Sequence, residues 1–167
     1  MSDSIRAAEK EWHESTIMND LVIRSYQSQD EAAVIELWLQ CNLVVPQNNP
    51  ERDIKRKLQV SPAWFLVGTL DGKVVATCMA GYEGHRGWIN YLAVSPQHRR
   101  KGIGRRIMED AEKRLKSAGC PKINLQVRET NREVILFYER IGYTKDPVVS
   151  MGKRLTHDGP FSHARSK

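Results

Sequence analysis

The sequence predicts a single α/β domain of the α+β type, in which about four helices pack on a mixed, mostly antiparallel sheet of roughly six to seven strands. Three observations support this fold class. The chain has 167 residues, which suits one domain of ordinary size. Its composition, 40% hydrophobic and 28% charged, is that of a globular protein. Strand-like and helix-like segments follow one another in the order β, α, α, β, β, β, α, β, α, β.

The first part of the chain predicts one strand and one helix. Residues 1–17 are polar and lack hydrophobic periodicity, so they are predicted to form a flexible arm outside the domain. The run Leu21-Val22-Ile23-Arg24 predicts the first strand. The run Ser28-Gln29-Asp30-Glu31 fits the S-x-x-E capping box, which predicts the start of a helix that continues to Cys41.

The next segments predict a short helix and a hairpin. Residues 51–60 are highly charged and predict a helix that ends at Ser61-Pro62, because a residue before proline disfavours the helical conformation. Residues 64–70 and 73–82 are β-rich runs on either side of Asp71-Gly72. A D-G pair between two such runs is typical of a two-residue β-hairpin.

The middle of the chain predicts a strand, a loop and a long helix. Residues 88–94 form another β-rich run, and residues 95–104 form a polar loop that contains two glycines. The helix that follows the loop ends at Gly119 and carries one apolar stripe. This stripe consists of Ile107, Met108, Ala111, Leu115 and Ala118.

The last part predicts a strand, a helix and a further strand. Residues 122–127 alternate between polar and apolar, as a half-buried strand does. Residues 131–141 show the helical spacing i, i+3, i+4, i+7, with Gly142 as the stop. A last strand is predicted over Val148–Leu155, and residues 156–167 are predicted to be a flexible basic tail.

The connection lengths predict the topology. Residues 88–127 run strand, loop, helix, strand, which is long enough for a parallel crossover, whereas the hairpin before them is antiparallel. The sheet is therefore predicted to be mixed, within a domain that spans residues 18–155.

Composition excludes several classes of protein. No apolar stretch approaches the ~18 residues that cross a bilayer, and the first residues lack the apolar core of a signal peptide, so a cytoplasmic protein without a membrane partner is expected. The three cysteines, Cys41, Cys78 and Cys120, are widely separated and form no C-x-x-C pair. Neither a disulfide framework nor a metal site is predicted.

The positive charge is local. The formal net charge is +6, and most of the excess lies in residues 95–116, which carry eight lysines and arginines against three acidic residues. A basic cluster at one point of the surface favours a small anionic ligand over nucleic acid, for which a longer basic track is expected.

The loop at residues 95–104 is a candidate site for such a ligand. A strand that leads through a basic, glycine-containing turn into a helix presents unpaired N–H groups to an anion. The segment does not contain the P-loop motif G-x-x-x-x-G-K-[ST]. It also departs from the dinucleotide motif G-x-G-x-x-G, because Ile107 stands at the position of the third glycine. A tight turn with solvated arginines would account equally well for these residues taken alone.

Two motifs resemble those of the GCN5-related N-acetyltransferase (GNAT) family. The spacing Arg99-x-x-Gly102-x-Gly104, after the apolar strand end Leu92-Ala93-Val94, is similar to the acetyl-coenzyme A loop of that family. The run from Asn131 to Tyr143 places Tyr138 seven residues after the asparagine and ends in a Gly-Tyr pair, which is similar to the family's second signature.

Two shorter segments narrow the resemblance. Residues 49–54 and 81–87 resemble the small single-domain bacterial YpeA-type members of the family. The chain departs from that pattern in its longer first arm and its longer basic end, and the resemblance implies no role for either.

The resemblance implies a GNAT-like fold with a central pair of parallel strands that splay apart, here the strands that end at Val94 and Val127. It also implies acetyl-coenzyme A as the cosubstrate, with its pantetheine arm along the first of these strands and its pyrophosphate on the basic loop. Asn131 also fits the N-cap of the following helix, and both roles are compatible. The implied cofactor-binding residues are Leu92, Ala93, Val94, Arg99, Arg100, Lys101, Gly102, Ile103, Gly104, Arg105, Asn131 and Tyr138.

The activity implied is an N-acetyltransferase, an acyltransferase that moves an acetyl group to a primary amine of a small molecule, peptide or protein by direct attack in a ternary complex. Tyr138 is implied as the acid that protonates the coenzyme A sulfur, although its spacing also suits a core residue. A lysine-like amine with a pKa of ~10.4 must lose a proton to a base. Glu83 is the first candidate for that base, followed by His85 and by a water held by Asn90.

Two other functions are weighed against this one. The chain could be an acetyl-coenzyme A-binding regulatory module without turnover, and the basic cluster could bind nucleic acid, which is the least favoured interpretation. The expected partners are acetyl-coenzyme A and an amine acceptor, without nucleic acid or membrane, and a homodimer is compatible with the sequence.

Overall fold

A computed structural model describes residues 20–159 and residue 161. The described residues form five strands and four α-helices, with three short 3-10 helices between them. The strands are β1 (Val22–Ser25), β2 (Phe65–Leu70), β3 (Lys73–Tyr82), β4 (Gly87–Val94) and β5 (Ile123–Leu125). The helices are α1 (Glu31–Gln40), α2 (Pro50–Gln59), α3 (Ile103–Ser117) and α4 (Arg132–Arg140).

The sheet is mixed, as predicted. Its strands lie in the order β1-β2-β3-β4-β5. The first four pair antiparallel with their neighbours, whereas β4 and β5 pair in parallel. The helix α3 provides the crossover between these two parallel strands.

The prediction of six to seven strands is wrong, because the sheet that the described residues form has five. The predicted last strand, Val148–Leu155, forms no strand, and its large apolar side chains lie in solvent, with Val149 88% exposed and Leu155 86% exposed. The strand β5 is also shorter than the predicted run of residues 122–127. Because β5 spans three residues, its edge is too short to pair along the whole of the later segment.

The first helix begins with a different capping interaction from the predicted one. The predicted box joins Ser28 and Glu31, whereas the observed one joins Gln27 and Asp30, whose carboxylate accepts from the backbone N–H of Gln27 at 2.8 Å. Asp30 is buried, and it is fixed there by a bidentate ion pair with Arg24 at 2.7 and 2.8 Å. The capping box therefore begins one residue earlier than predicted, because Arg24 on β1 holds the Asp30 carboxylate in place.

The two faces of the sheet carry separate hydrophobic clusters. The helices α1 and α2 cover one face, where Trp38, Ile54, Phe65 and Val67 are fully buried. The helices α3 and α4 cover the other face with a second cluster. Its fully buried members include Leu66, Ala76, Cys78, Ile107, Met108, Ala111 and Leu115.

The hairpin between β2 and β3 is the predicted one. Its two turn residues, Asp71 and Gly72, have φ angles of 48° and 73°. Positive φ at both central residues is the type I′ geometry, which matches the twist of the flanking strands.

The segment after α4 crosses from the β5 side of the molecule to α2. Lys122 pairs with Asp146 beside β5, whereas Arg154 donates to the carbonyl oxygen of Gln47 at 3.1 Å, in the loop before α2. The boundaries predicted at residues 18–155 stay predictions. Residues 1–17 and 162–167 lie outside the described part of the chain.

None of the described helices is long and apolar enough to span a membrane.

Candidate active site

The parallel strands β4 and β5 separate partway along the sheet. They pair only from Gly87, Trp88 and Ile89 to Ile123, Asn124 and Leu125. Because β5 ends at Leu125, residues 90–94 of β4 have no strand partner on that side within the described part of the chain. The backbone edge of β4 is therefore open over its last five residues.

A β-bulge lies at the start of this open edge. On the β3 side, Thr77 pairs with Ala93 and Met79 with Asn90, so two residues of β4 face Cys78. One of the two is Tyr91, whose φ angle is 50°. The bulge bends β4 where it leaves β5, as bulges generally do.

The basic loop after β4 ends in a tight turn at Gly102. This glycine has a φ angle of 78°, a conformation that other residues adopt only with strain, and it is the N-cap of α3. The first bond of the helix runs from the N–H of Arg106 to the carbonyl of Gly102 at 3.0 Å. The N–H groups of residues 103–105 precede that bond, so they have no partner inside the helix and can bind an anion.

The cationic side chains of the loop differ in their surroundings. Arg99 turns back and donates to the carbonyl oxygen of Val94 at 3.2 Å, so it braces the end of β4. Arg100 and Arg105 are exposed, and Lys101 is half-buried. Arg100 lies 3.9 Å from Glu133, a contact between two exposed side chains that is worth little. These three side chains remain available to an anion.

The imidazole of His98, in the same loop, is biased toward its neutral form. Burial, followed by the nearby Lys101, lowers the pKa of its imidazole. Its Nδ1 atom is buried and has no hydrogen-bond partner among the described residues.

Tyr138 is both a core residue and an available proton donor. It is 8% exposed and makes edge contacts with the rings of Phe137 and Tyr143 at 5.1 and 5.6 Å. Burial raises the pKa of its phenol, and the buried Cys78 adds to this effect. Its hydroxyl makes no hydrogen bond to any residue that the structure describes. The raised pKa keeps the phenol protonated, and no described residue accepts a hydrogen bond from it.

Asn131 caps α4. Its side-chain oxygen accepts from the backbone N–H of Val134 at 3.4 Å. The N-cap interpretation therefore holds, and a contact with a pantetheine arm stays a prediction.

Glu83 lies in the turn between β3 and β4, at the opposite end of β4 from the basic loop. Its carboxylate accepts from the backbone N–H groups of His85 at 2.6 Å and Arg86 at 2.9 Å. These bonds, that from His85 first, lower the pKa of the carboxyl group. A lowered pKa weakens a base, so the role predicted for Glu83 depends on the substrate reaching this turn.

The sequence analysis did not identify a hydrogen-bonded pair beside the bulge, formed by Tyr91 and Asp53. The hydroxyl of Tyr91 donates to the carboxylate of Asp53 on α2 at 2.7 Å. Asp53 belongs to a helix with several charged residues, and nothing in that local pattern separates it from its solvated neighbours. Within the described residues, no group of three or more His, Cys, Asp or Glu side chains could hold a metal ion.

Comparison with known proteins identifies relatives. The model of the Acetyltransferase (GNAT) family matches residues 30–143. The chain is 46% identical over 139 residues to an acetyltransferase from Pectobacterium atrosepticum, a match that covers 83% of this chain and 99% of that protein.

Solved structures share the fold at lower sequence identity. The ribosomal-protein-S18-alanine N-acetyltransferase from Escherichia coli has a TM-score of 0.65 and 21% identity, with 75% of this chain and 79% of that one covered. The structure of AAC(6')-Iy in complex with the bisubstrate analogue CoA-S-monomethyl-acetylneamine has a TM-score of 0.67 and 16% identity, with 80% and 98% covered.

Proposed function

Because this chain belongs to the GNAT family of acetyltransferases, we propose that it transfers the acetyl group of acetyl-coenzyme A to a primary amine of a small molecule, peptide or protein. The transfer is a direct attack within a ternary complex. The observation that carries this proposal is the open edge of β4 beyond Ile89, next to a basic loop at the start of a 15-residue helix.

The open edge suits the pantetheine arm of the donor. Its two amides can pair with backbone groups near Leu92, Ala93 and Val94, as a peptide strand adds to a sheet edge, although the carbonyl oxygen of Val94 already accepts from Arg99. The pyrophosphate then reaches the N–H groups of residues 99–104, where the dipole of α3 and the side chains of Arg100, Lys101 and Arg105 favour negative charge. The bisubstrate analogue bound to AAC(6')-Iy supports a coenzyme A site in this fold.

The acceptor amine approaches from the α1 and α2 side of the sheet. Both sides carry a hydrophobic cluster, and the one under α3 and α4 includes Leu92, Val94 and Tyr138. On the other side, Asn90 pairs with Met79 of the α1 and α2 cluster and is exposed. Tyr91 packs into the cluster of α1 and α2. An amine that lies near the bulge on the α1 and α2 side would therefore approach the thioester from the face opposite to Tyr138.

The chemistry needs one base and one acid. The protonated amine first loses one proton to a base, for which Glu83, His85 and a water held by Asn90 are the candidates, and its neutral nitrogen then bonds to the thioester carbon. The nitrogen loses its second proton to solvent, the bond from the carbon to sulfur breaks, and the departing sulfur takes the phenol proton of Tyr138, which solvent then replaces. Backbone N–H groups near Ala93 or Val94 stabilise the oxyanion during the attack.

Two measurements test the proposal. Isothermal titration calorimetry with acetyl-coenzyme A and with coenzyme A measures donor binding, and release of free thiol in a panel of primary amines measures transfer. Thiol release without amine is the control for hydrolysis. Transfer to at least one amine is expected, whereas binding without turnover would favour the regulatory module, and absence of binding would refute both.

A further inference from the structure

Tyr91 is held in a strained backbone conformation in the middle of a strand. Its φ angle is 50°, and bulky residues adopt positive φ only when their surroundings enforce it. The other non-glycine residues with positive φ in the described part of the chain lie in loops and turns, whereas Tyr91 lies inside β4. Such strain is often found where a backbone must be aimed at a ligand.

Contacts at the ring, the backbone and the hydroxyl fix this residue. Its ring stacks on Trp38 with 4.0 Å between ring centroids. Its carbonyl oxygen accepts from the hydroxyl of Thr77 at 2.9 Å, and that hydroxyl in turn accepts from the indole N–H of Trp38 at 2.9 Å. Its own hydroxyl donates to Asp53 at 2.7 Å and accepts from the side chain of Asn48. The ring, the backbone and the hydroxyl are thus each restrained by different partners.

The contact at Asp53 continues outward to the C-terminal segment. Arg56 donates to Asp53 at 3.0 Å and to both carboxylate oxygens of Asp158 at 2.8 and 2.6 Å. Arg52 and the backbone N–H of Asn49 also donate to Asp158. The side chain of Asp158 is 5% exposed, although it lies beyond the predicted end of the domain.

These contacts form a chain from Asp158 through Arg56 and Asp53 to Tyr91. Four donors converge on Asp158, which holds the guanidinium of Arg56 in place. Arg56 in turn fixes the carboxylate that receives the tyrosine hydroxyl. If these contacts only attached the C-terminal segment to α2, they would not need to continue to Tyr91, the strained residue of the open strand.

We propose that Asp53 and Asp158 are positioning residues that hold the Tyr91 bulge, and through it the open edge of β4, in register with the bound thioester. This inference rests on the proposed function, since the edge has to be aligned only if a donor binds there. Reacting groups lose rate steeply when they are misplaced by about 1 Å, so distant residues that fix a backbone can affect turnover.

The experiment compares Tyr91→Phe, Asp53→Ala and Asp158→Asn with Glu51→Gln. Glu51→Gln removes one exposed carboxylate from the same helix, outside this chain of contacts. Tyr91→Phe keeps the ring on Trp38 and removes the bond to Asp53, together with the hydrogen bond from the side chain of Asn48. The readouts are hydrogen–deuterium exchange of peptides covering residues 88–94, and kcat and KM for acetyl-coenzyme A with the best amine.

Faster exchange over residues 88–94 is expected in all three variants and not in Glu51→Gln. The kcat of Tyr91→Phe should fall by about 10-fold to 100-fold while KM for acetyl-coenzyme A changes little, because alignment rather than binding is lost. The kcat of Asp158→Asn should fall less than that of Tyr91→Phe, because Asp158 acts on Tyr91 only through Arg56 and Asp53. Adding Asp158→Asn to Tyr91→Phe should cost little more, since the second change acts through a bond that the first has removed.

Exchange and kcat in Asp158→Asn and Asp53→Ala equal to those of Glu51→Gln would overturn the inference. Additive losses in the double variant would overturn it as well, because they would indicate two independent structural effects. A wild-type protein that transfers no acetyl group would contradict the proposed function, while exchange over residues 88–94 would still decide whether Asp53 and Asp158 hold the bulge.

Discussion

The ring of Phe137 lies so close to Gly104 that a Cβ atom added to the glycine would stand 3.3 Å from two of its ring carbons. The same Cβ atom would lie 3.6 Å from a methyl carbon of Val94. The end of β4, the first turn of α3 and the helix α4 therefore meet at residue 104. Because Gly104 has no side chain, the basic loop can lie close to α4, the helix that carries Tyr138.

Gly104→Val should destabilise the protein and weaken donor binding. The added side chain must displace the Phe137 ring or the end of β4, and overpacking of this kind costs about 1 to 3 kcal/mol. Gly81→Val is the matched control, because a Cβ atom at Gly81 meets nothing within 4 Å and the residue lies in a strand. Urea unfolding measures the difference. Equal midpoints for the two variants would contradict the close packing at Gly104.

Gly102→Glu should abolish binding of acetyl-coenzyme A. The substitution puts a carboxylate at the N-terminus of α3, where a pyrophosphate is proposed to bind. Gly72→Glu is the control, because Gly72 has a similar φ angle, 73° against 78°, in a hairpin turn. Both variants carry backbone strain, but only Gly102→Glu should lose affinity, by roughly 100-fold or more, or about 2.7 kcal/mol. Calorimetry showing equal affinity in the two variants would argue against an anion site in this loop.

Tyr138→Phe should retain donor binding and lose turnover, because the ring stays in the core and only the proton donor is removed. A loss of about 100-fold in kcat is expected for removal of a general acid. Tyr143→Phe is the control, since this neighbouring phenol bonds Glu112 at 3.0 Å and has no proposed role in the reaction. Because burial raises the pKa of Tyr138, its titration should not limit kcat at or below about pH 10. A Tyr138→Phe variant as active as Tyr143→Phe would remove Tyr138 from the acid role.

Local sequence patterns predict most of the fold because burial of one face leaves a periodic trace in the sequence. The helix predicted over residues 131–141 is observed at Arg132–Arg140, and that predicted over residues 51–60 is observed at Pro50–Gln59. The Asp71-Gly72 turn follows from backbone preferences of two residues alone. These features depend on neighbours in sequence, which is why they could be predicted.

Features that depend on distant partners could not be predicted in this way. Val148–Leu155 begins with two β-branched residues, but a strand also needs an edge to pair with, and β5 offers three residues. The pair of Tyr91 and Asp53 spans 38 positions, and a carboxylate in a charged helix carries no sign of its partner. The loop motif indicated an anion site, whereas the strained bulge beside it leaves no trace in composition.

The capping carboxylate before α1 gives a pH-dependent test of a pairing between two elements, because Asp30 is bonded to Arg24 on β1. The ion pair with Arg24, a bond from the backbone of Gln27 and the charge of Arg24 hold the pKa of the buried Asp30 carboxyl below its ordinary value. A carboxyl whose pKa is lower in the folded protein contributes stability above its unfolded pKa of about 3.9, and that contribution is lost as the pH falls through the folded pKa.

Asp30→Asn should therefore cost about 1.5 to 3 kcal/mol of unfolding free energy at pH 7, the usual worth of hydrogen bonds to a charged group. The gap between wild type and variant should narrow below about pH 4, as the wild-type carboxyl takes up its proton. Glu31→Gln is the control, because Glu31 is exposed and its bond from the Tyr26 hydroxyl is long, at 3.4 Å. Urea unfolding from pH 7 to pH 3 measures all three proteins. A loss in Glu31→Gln as large as in Asp30→Asn, or a gap that does not change with pH, would show that the cap is not held by the pair of Arg24 and Asp30.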